Sequence, residues 1–433
     1  MKQYPKILIF STNSLRRDGS NGKVIGELLS GWPSNRVAQF YTYAENPDSE
    51  VCDNFYRVTN AEAVKSLLPF KKVGGIVSNQ VKGSEIPYLS QNDLDGKRKP
   101  HKNPLTLLVR DIVWGLRGWE SKRFWDWIKD FAPDVILLQA GESSYLHRIV
   151  LRVAKRIGVP FVIFNTENYY MKDYNYLKGR GWEILYPFYK AECDKTFRRL
   201  MKNSAKEIYT NSVLDAQYYK AFGRHGMVIY QGSSLKEMPE VHNTTPVISY
   251  AGNLGINRHS ALIELAEALV SVNPEATLDV YGRAPSEEVR KALESAKGLK
   301  YHGMVPYSKV LDVMRESDYM VHVESAEPFW VKDLCAAFST KISDILSAGK
   351  CLILYASPSL ACSRFVEENR CGFLIKTKDQ LIPGLRGLFD DASLQQEYRA
   401  NALMTAQKYL DSSKNASLFL NVIKEVVNNK ENT

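Results

Sequence analysis

Residues 338–350 read FSTKISDILSAGK, so two hydroxyls, Ser339 and Thr340, stand directly before a cation, Lys341, and an acid, Asp344, follows one helical turn later. Ser and Thr are favoured where a helix begins. The first turn of a helix leaves backbone N–H groups free and carries partial positive charge, which suits an anion. Lys341 would add a full charge, and its spacing from Asp344 puts both side chains on one helix face. A carboxylate there can accept hydrogen bonds from the vicinal hydroxyls of a ribose. A capped helix with a surface Lys–Asp pair would use the same letters, so the stretch alone decides nothing.

A second stretch, YAGNLGINRHSALIELAEAL, follows a short apolar run. Gly252 and Gly255 flank Asn253 in what reads as a tight strand-to-helix turn. Small residues let a phosphate approach the backbone. Arg258 falls at or near the helix start, where a guanidinium can grip a diphosphate through two parallel hydrogen bonds. The spacing is not the GxGxxG of dinucleotide sites. A third loop, VYGRAPSEE, ends a strand at Gly282. A fourth, YHGMVP, holds Gly303, Met304 and Val305 and leads through a helix to a strand ending at Glu324.

The 433 residues exceed one ordinary core and suit two domains of roughly 200 residues. With 44% hydrophobic and 24% charged residues, the composition is that of a soluble globular protein. No apolar run approaches the ~20 residues of a membrane span. The N-terminal MKQYPKILIFST lacks a small-residue cleavage site and reads as a first strand. Six cysteines without CxxC spacing argue against a metal cluster or disulfide framework, and for a reducing compartment.

Short β-rich runs alternate with helical patterns throughout. In the first half, strands are expected at 6–12, 37–43, 134–139, 161–166, 207–211 and 227–231, with helices at 145–156 and 184–202 among those between them. The runs DVILLQ and FVIFNT are continuously apolar, as in parallel strands covered on both faces. Residues 236–246 read as a linker, after which the alternation restarts and ends in helices near 393–409 and 413–428. Two such series imply an α/β chain with two Rossmann-like, doubly wound domains facing a cleft. Their expected spans are 1–235 and 247–411, with 412–433 a closing helix that could pack back on the first domain.

The net charge is +9, but residues 1–235 hold 35 Lys+Arg against 23 Asp+Glu, and the remainder 22 against 25. The basic excess belongs to the first half alone. It admits nucleic acid, anionic lipid or acidic substrates as partners. Residues 74–102 are loop-like and end in the basic GKRKPHK, and 105–131 carry Trp114, Trp119, Trp125 and Trp127 among Arg and Lys. Such a segment can lie on a membrane surface or pack its aromatics in a core.

In this order, GNLGINR, VYG, YHGMVP, SDYMVHVES and FSTKISDILSAGKCLILY resemble the nucleotide-binding domain of GT-B glycosyltransferases, family 4-like, over roughly residues 247–376. The resemblance implies that Arg258 contacts the donor diphosphate, with Lys341, Ser339 and Thr340 beside the phosphates. It implies Asp344 at the ribose, and Gly252, Asn253, Gly255, Gly282, Met304 and Val305 around the nucleotide. In the first half, RRDGSNGKVIGELL resembles the family's glycine-rich loop, with Gly19, Ser20, Asn21 and Gly22 approaching donor and acceptor. Glu167 and Asn168 stand where many relatives carry a histidine–aspartate pair, and Glu167 is thereby a catalytic candidate.

Two departures stand out. Relatives often carry a second glutamate eight residues before the ribose acid, and here that position is Ala336. Glu327 could substitute if residues 330–338 are an insertion. The Arg usual after the first glycine is Asn253.

The implied function is transfer of a sugar from a nucleoside diphosphate, UDP or GDP, to a glycan or polyprenyl-linked acceptor, with retention, in cell-surface polysaccharide synthesis. No cofactor and no metal are expected, since no Asp-x-Asp motif stands in a plausible loop. The expected place is the cytoplasm, peripherally at the inner face of the plasma membrane. A sugar-nucleotide epimerase on the same fold, or a non-catalytic nucleotide-binding protein, would use the same loops. Nucleic-acid binding lacks a motif of suitably spaced stacking aromatics.

Overall fold

The computed structural model describes residues 3–17, 20–69, 71–80, 102–241 and 243–431. They form two compact units, one running to Ile229 and resuming at Ala416, the other spanning Tyr230–Asn415.

Among the described residues the first unit carries eight strands: β1 Ile7–Phe10, β2 Val37–Tyr41, β3 Asn54–Arg57, β4 Gly75–Val77, β5 Val135–Gln139, β6 Phe161–Asn165, β7 Lys206–Tyr209 and β8 Met227–Val228. Their order is β4-β3-β2-β1-β5-β6-β7-β8, parallel except for the β3–β4 pair. Every residue of β5 and β6 is buried, as their unbroken apolar runs require. One face packs Ile7 and Ile9 against Ile25, Leu29 and Trp32, and against Phe419, Val422 and Ile423 of the last helix, Ser412–Glu431.

The aromatic basic segment resolves as core on one side. Trp114, Trp119 and Trp127 are buried, with Trp114 stacked on Tyr145 at 4.7 Å. The Trp125 ring lies under the Arg156 guanidinium, 3.9 Å away.

Among the described residues the second unit carries six strands: β9 Val247–Ala251, β10 Thr277–Tyr281, β11 Leu299–Gly303, β12 Tyr319–Val323, β13 Cys351–Tyr355 and β14 Phe373–Ile375. The order is β11-β10-β9-β12-β13-β14, all parallel. Leu262, Leu265 and Leu269 of the helix Arg258–Val272 cover Ile248, Leu278 and Val321.

Lys350, between the helix Thr340–Ser347 and β13, is wholly buried. Its ammonium donates to the carbonyls of Arg315, Ser317 and Pro239 at 3.0, 3.1 and 3.2 Å. It thus caps the end of the helix Tyr307–Glu316 and ties the segment entering β9 to it. Lys350→Met takes the donor from three carbonyls, of which the Ser317 bond is buried and the other two are part-buried. The expected loss is about 3 kcal/mol, seen as a lower urea midpoint at unchanged slope.

Candidate functional site

In the second unit the chain winds outward from β9 through β10 to β11, then returns to place β12 against the other side of β9. That reversal opens a crevice beyond the carboxyl ends of β9 and β12, the place where open α/β sheets bind ligands. The turn after β9 carries Gly252, Asn253, Gly255 and Arg258. The strand β12 leads directly into Glu324.

The turn is closely built. The Gly252 N–H donates to the Tyr281 carbonyl at 2.9 Å, and the Gly282 N–H to the Gly303 carbonyl at 2.8 Å, so the ends of β9, β10 and β11 are laced together. A Cβ on Gly282 would stand 2.1 Å from the Gly252 carbonyl oxygen, which leaves glycine alone at that position. The Asn253 side chain accepts from the Gly255 N–H at 2.8 Å, and its carbonyl from the Tyr250 hydroxyl at 2.8 Å. Ile256 and Asn257 follow with φ of 61° and 54°, a left-handed pair unusual outside glycine. The helix Arg258–Val272 then begins with no side chain capping its first turn.

The Arg258 guanidinium meets Glu324 in a two-pronged pair, Nε to Oε2 at 2.9 Å and Nη2 to Oε1 at 2.7 Å. Both side chains are nearly inaccessible. Nη1 points back toward the Asn253 carbonyl, 3.5 Å away. Glu324 Oε1 also accepts from His322 Nε2 at 3.0 Å, across the i,i+2 spacing that puts both on one face of the extended chain. Burial disfavours the Glu324 carboxylate, but Arg258 and His322 outweigh it and hold the group down to about 2. Burial lowers the His322 pKa against the pull of Glu324, and the nearby charges of Arg258 and Lys341 lower it further.

Lys341 joins the cluster from the helix Thr340–Ser347, which leads into β13 on the other side of β12. Ser339 is the N-cap of the helix Thr340–Ser347, its hydroxyl accepting from the Lys341 N–H at 3.4 Å. The aliphatic stem of Lys341 lies against the glycine turn: a Cβ at Gly252 would be 3.1 Å from Lys341 Cε. Arg258, Gly252, Ser339, Thr340 and Lys341 therefore share one end of one sheet. Asp344 is buried one turn deeper, and its Oδ1 accepts from the Ser233 hydroxyl at 2.6 Å. Ser343 donates to the Gln231 carbonyl at 2.9 Å, so the helix is fixed to the segment that enters this unit.

Along the rim, Tyr301 donates to the Gly282 carbonyl at 2.8 Å, and Tyr281 stacks on His302 at 4.5 Å. Met304 is exposed and Val305 partly so. Glu327 accepts from the Asn257 side chain at 2.5 Å, which places it at the mouth of the Arg258 helix.

The remaining candidates belong to the first unit. A Cβ on Gly22 would fall 2.1 Å from the Arg16 carbonyl oxygen, so glycine is needed there too. Gly19 lies outside the described residues, as do the side chains of Ser20 and Asn21. Glu167 is exposed just past β6, and Asn168 donates to Gln217 at 2.7 Å. Glu324 and His322 were not singled out from the sequence. Their signal was available: two polar residues spaced by two at the end of an otherwise apolar run.

No family model matches the sequence. Among solved structures, HepE of Anabaena in complex with UDP aligns with a TM-score of 0.62 at 12% identity, over 97% of this chain and 100% of that one. Sucrose-phosphate synthase from Thermosynechococcus elongatus aligns at 0.63 and 13%, over 97% and 98%. WaaG, a glycosyltransferase involved in lipopolysaccharide biosynthesis, aligns at 0.56 and 13%, over 95% and 99%. The chain has the GT-B fold, with a Rossmann-like parallel sheet in each unit.

Proposed function

We propose that the protein is a glycosyltransferase that takes its sugar from a nucleoside diphosphate and passes it to a glycan or lipid-linked acceptor. The observation that carries this reading is the meeting of Arg258, the Gly252 turn and the Lys341 helix start at the crevice between β9 and β12.

As the glycosidic bond breaks, negative charge grows on the departing diphosphate. Fixed cations and helix N-termini stabilise that charge without reorganising at the moment of reaction. Arg258 Nη1, which now faces the Asn253 carbonyl at 3.5 Å, turns to a phosphate oxygen while Glu324 holds the other edge of the guanidinium. Lys341 and the first N–H groups of Thr340–Ser347 supply a second grip. On this reading Asp344 takes the ribose hydroxyls, Gly282 with Met304 and Val305 frames the base, and Glu327 reaches the donor sugar in place of the acid missing at Ala336. Glu167, in the first unit, serves the acceptor side. Retention of configuration, independence from metal and a place in cell-surface polysaccharide synthesis are part of the same proposal. UDP is the first nucleotide to try, since HepE is solved with it.

The test is a thermal-shift screen of UDP, GDP, ADP and dTDP. A ligand that binds only the folded chain raises the melting temperature, by mass action. One nucleotide should shift the transition, with the shift abolished in Lys341→Ala. No shift with any of the four overturns the reading.

A further inference from the structure

The first unit has an apolar face that its core does not use. The helix Pro104–Gly115 buries Leu107, Asp111 and Trp114 on its inner side. On the outer side Val109, Ile112 and Leu116 recur at spacings of three and four, which aligns them in one stripe. Ile112 and Leu116 are 63% and 62% exposed. The short turn Glu183–Leu185 and the start of the helix Tyr186–Asn203 pack alongside this helix. They add Trp182, Ile184 and Phe188, at 59%, 79% and 68% exposure.

Large apolar side chains gathered so openly mark a surface that meets something. The flanking charge identifies what. Lys102 stands exposed at one end of the stripe and Arg117 at the other, and Lys178 and Arg180 are exposed in the loop that presents Trp182. Glu183, the acid within this loop, accepts from the Gly179 N–H at 2.6 Å. Aliphatic and aromatic side chains edged by Lys and Arg match the boundary of an anionic bilayer, where acyl chains take the apolar stripe and headgroups the cations. No described helix is long and apolar enough to cross a membrane, so the contact would be interfacial.

We infer that this face of the first unit docks on an anionic phospholipid surface through Val109, Ile112, Leu116, Trp182, Ile184 and Phe188. The inference gives the lipid-linked acceptor of the proposed function a place to be met, although its geometry does not depend on the nucleotide site.

The experiment is co-sedimentation with phosphatidylcholine vesicles, with and without 30 mol% phosphatidylglycerol, at low and high salt. The full chain should partition onto the anionic vesicles and lose at least about tenfold in partitioning without the anionic lipid. The exposed-site double variant Ile112→Glu/Ile184→Glu should lose a similar factor. Met404→Glu, a change at an exposed site of the second unit, should lose nothing. Absence of vesicle binding, or equal binding by the double variant, overturns the inference. So does a wild-type dimer that the double variant dissolves, because a second copy would then cover the face. The nucleotide-induced melting shift is measured on the same samples. Its loss with vesicle binding intact counts against the transferase reading and supports the surface.

Discussion

Arg258→Ala should lower turnover about 10²- to 10³-fold, the usual cost of removing one preorganised donor from a developing negative charge. The same change should destabilise the fold by about 3–5 kcal/mol, because it leaves Glu324 buried without its counter-charge. The two effects separate in the double variant Arg258→Ala/Glu324→Gln. With no orphaned charge, stability should return most of the way while turnover stays low. Recovery of turnover together with stability would show that Arg258 acts only as a structural partner of Glu324. The pH dependence gives a second reading of the pair. Glu324 is held at about 2, below its ordinary 4.5, so its contribution to stability is complete above 4.5 and is lost as pH falls toward 2. In Glu324→Gln that part of the acid limb should flatten, which urea denaturation at several pH values checks.

Gly282→Ala carries the second large effect. The new methyl carbon would sit 2.1 Å from the Gly252 carbonyl oxygen, and neither backbone can yield without parting β9 from β10. Overpacking of this kind costs about 1–3 kcal/mol where side chains can move, and the upper end is expected against fixed backbone. The displaced turn carries Gly252 away from the Lys341 stem. Nucleotide binding should therefore fall at least about tenfold even in the folded fraction, and isothermal titration measures it. Unchanged affinity in a stable Gly282→Ala protein would mean that the glycine turn is not part of the site.

Much of this was legible in the residues. The unbroken apolar runs of β5 and β6 announced parallel strands buried on both faces, and they are. The helix start at Ser339–Lys341 followed from capping preference alone. The strands β3 and β4 were missed because four and three residues carry too little pattern, and β4 lies in a Gly-, Ser- and Asn-rich stretch. The tryptophan-bearing segment 105–131 left core and surface open. Three of its four tryptophans are buried, and the exposed apolar stripe comes from Val109, Ile112 and Leu116 instead. Only helical phase, fixed by what packs beneath, separates those two sets. Glu324 as the partner of Arg258 was beyond sequence reading for a different reason. The two are 66 residues apart, and strand order alone brings β12 beside β9.

The most direct measurement is a structure of the protein with its nucleotide bound. The terminal phosphate should lie within hydrogen-bond reach, about 3 Å, of Arg258 Nη1 and Lys341 Nζ, with the Glu324 pair to Arg258 intact. Phosphates seated away from both cations, with the Gly252 turn and the Thr340–Ser347 helix start untouched, would contradict the assignment of this crevice.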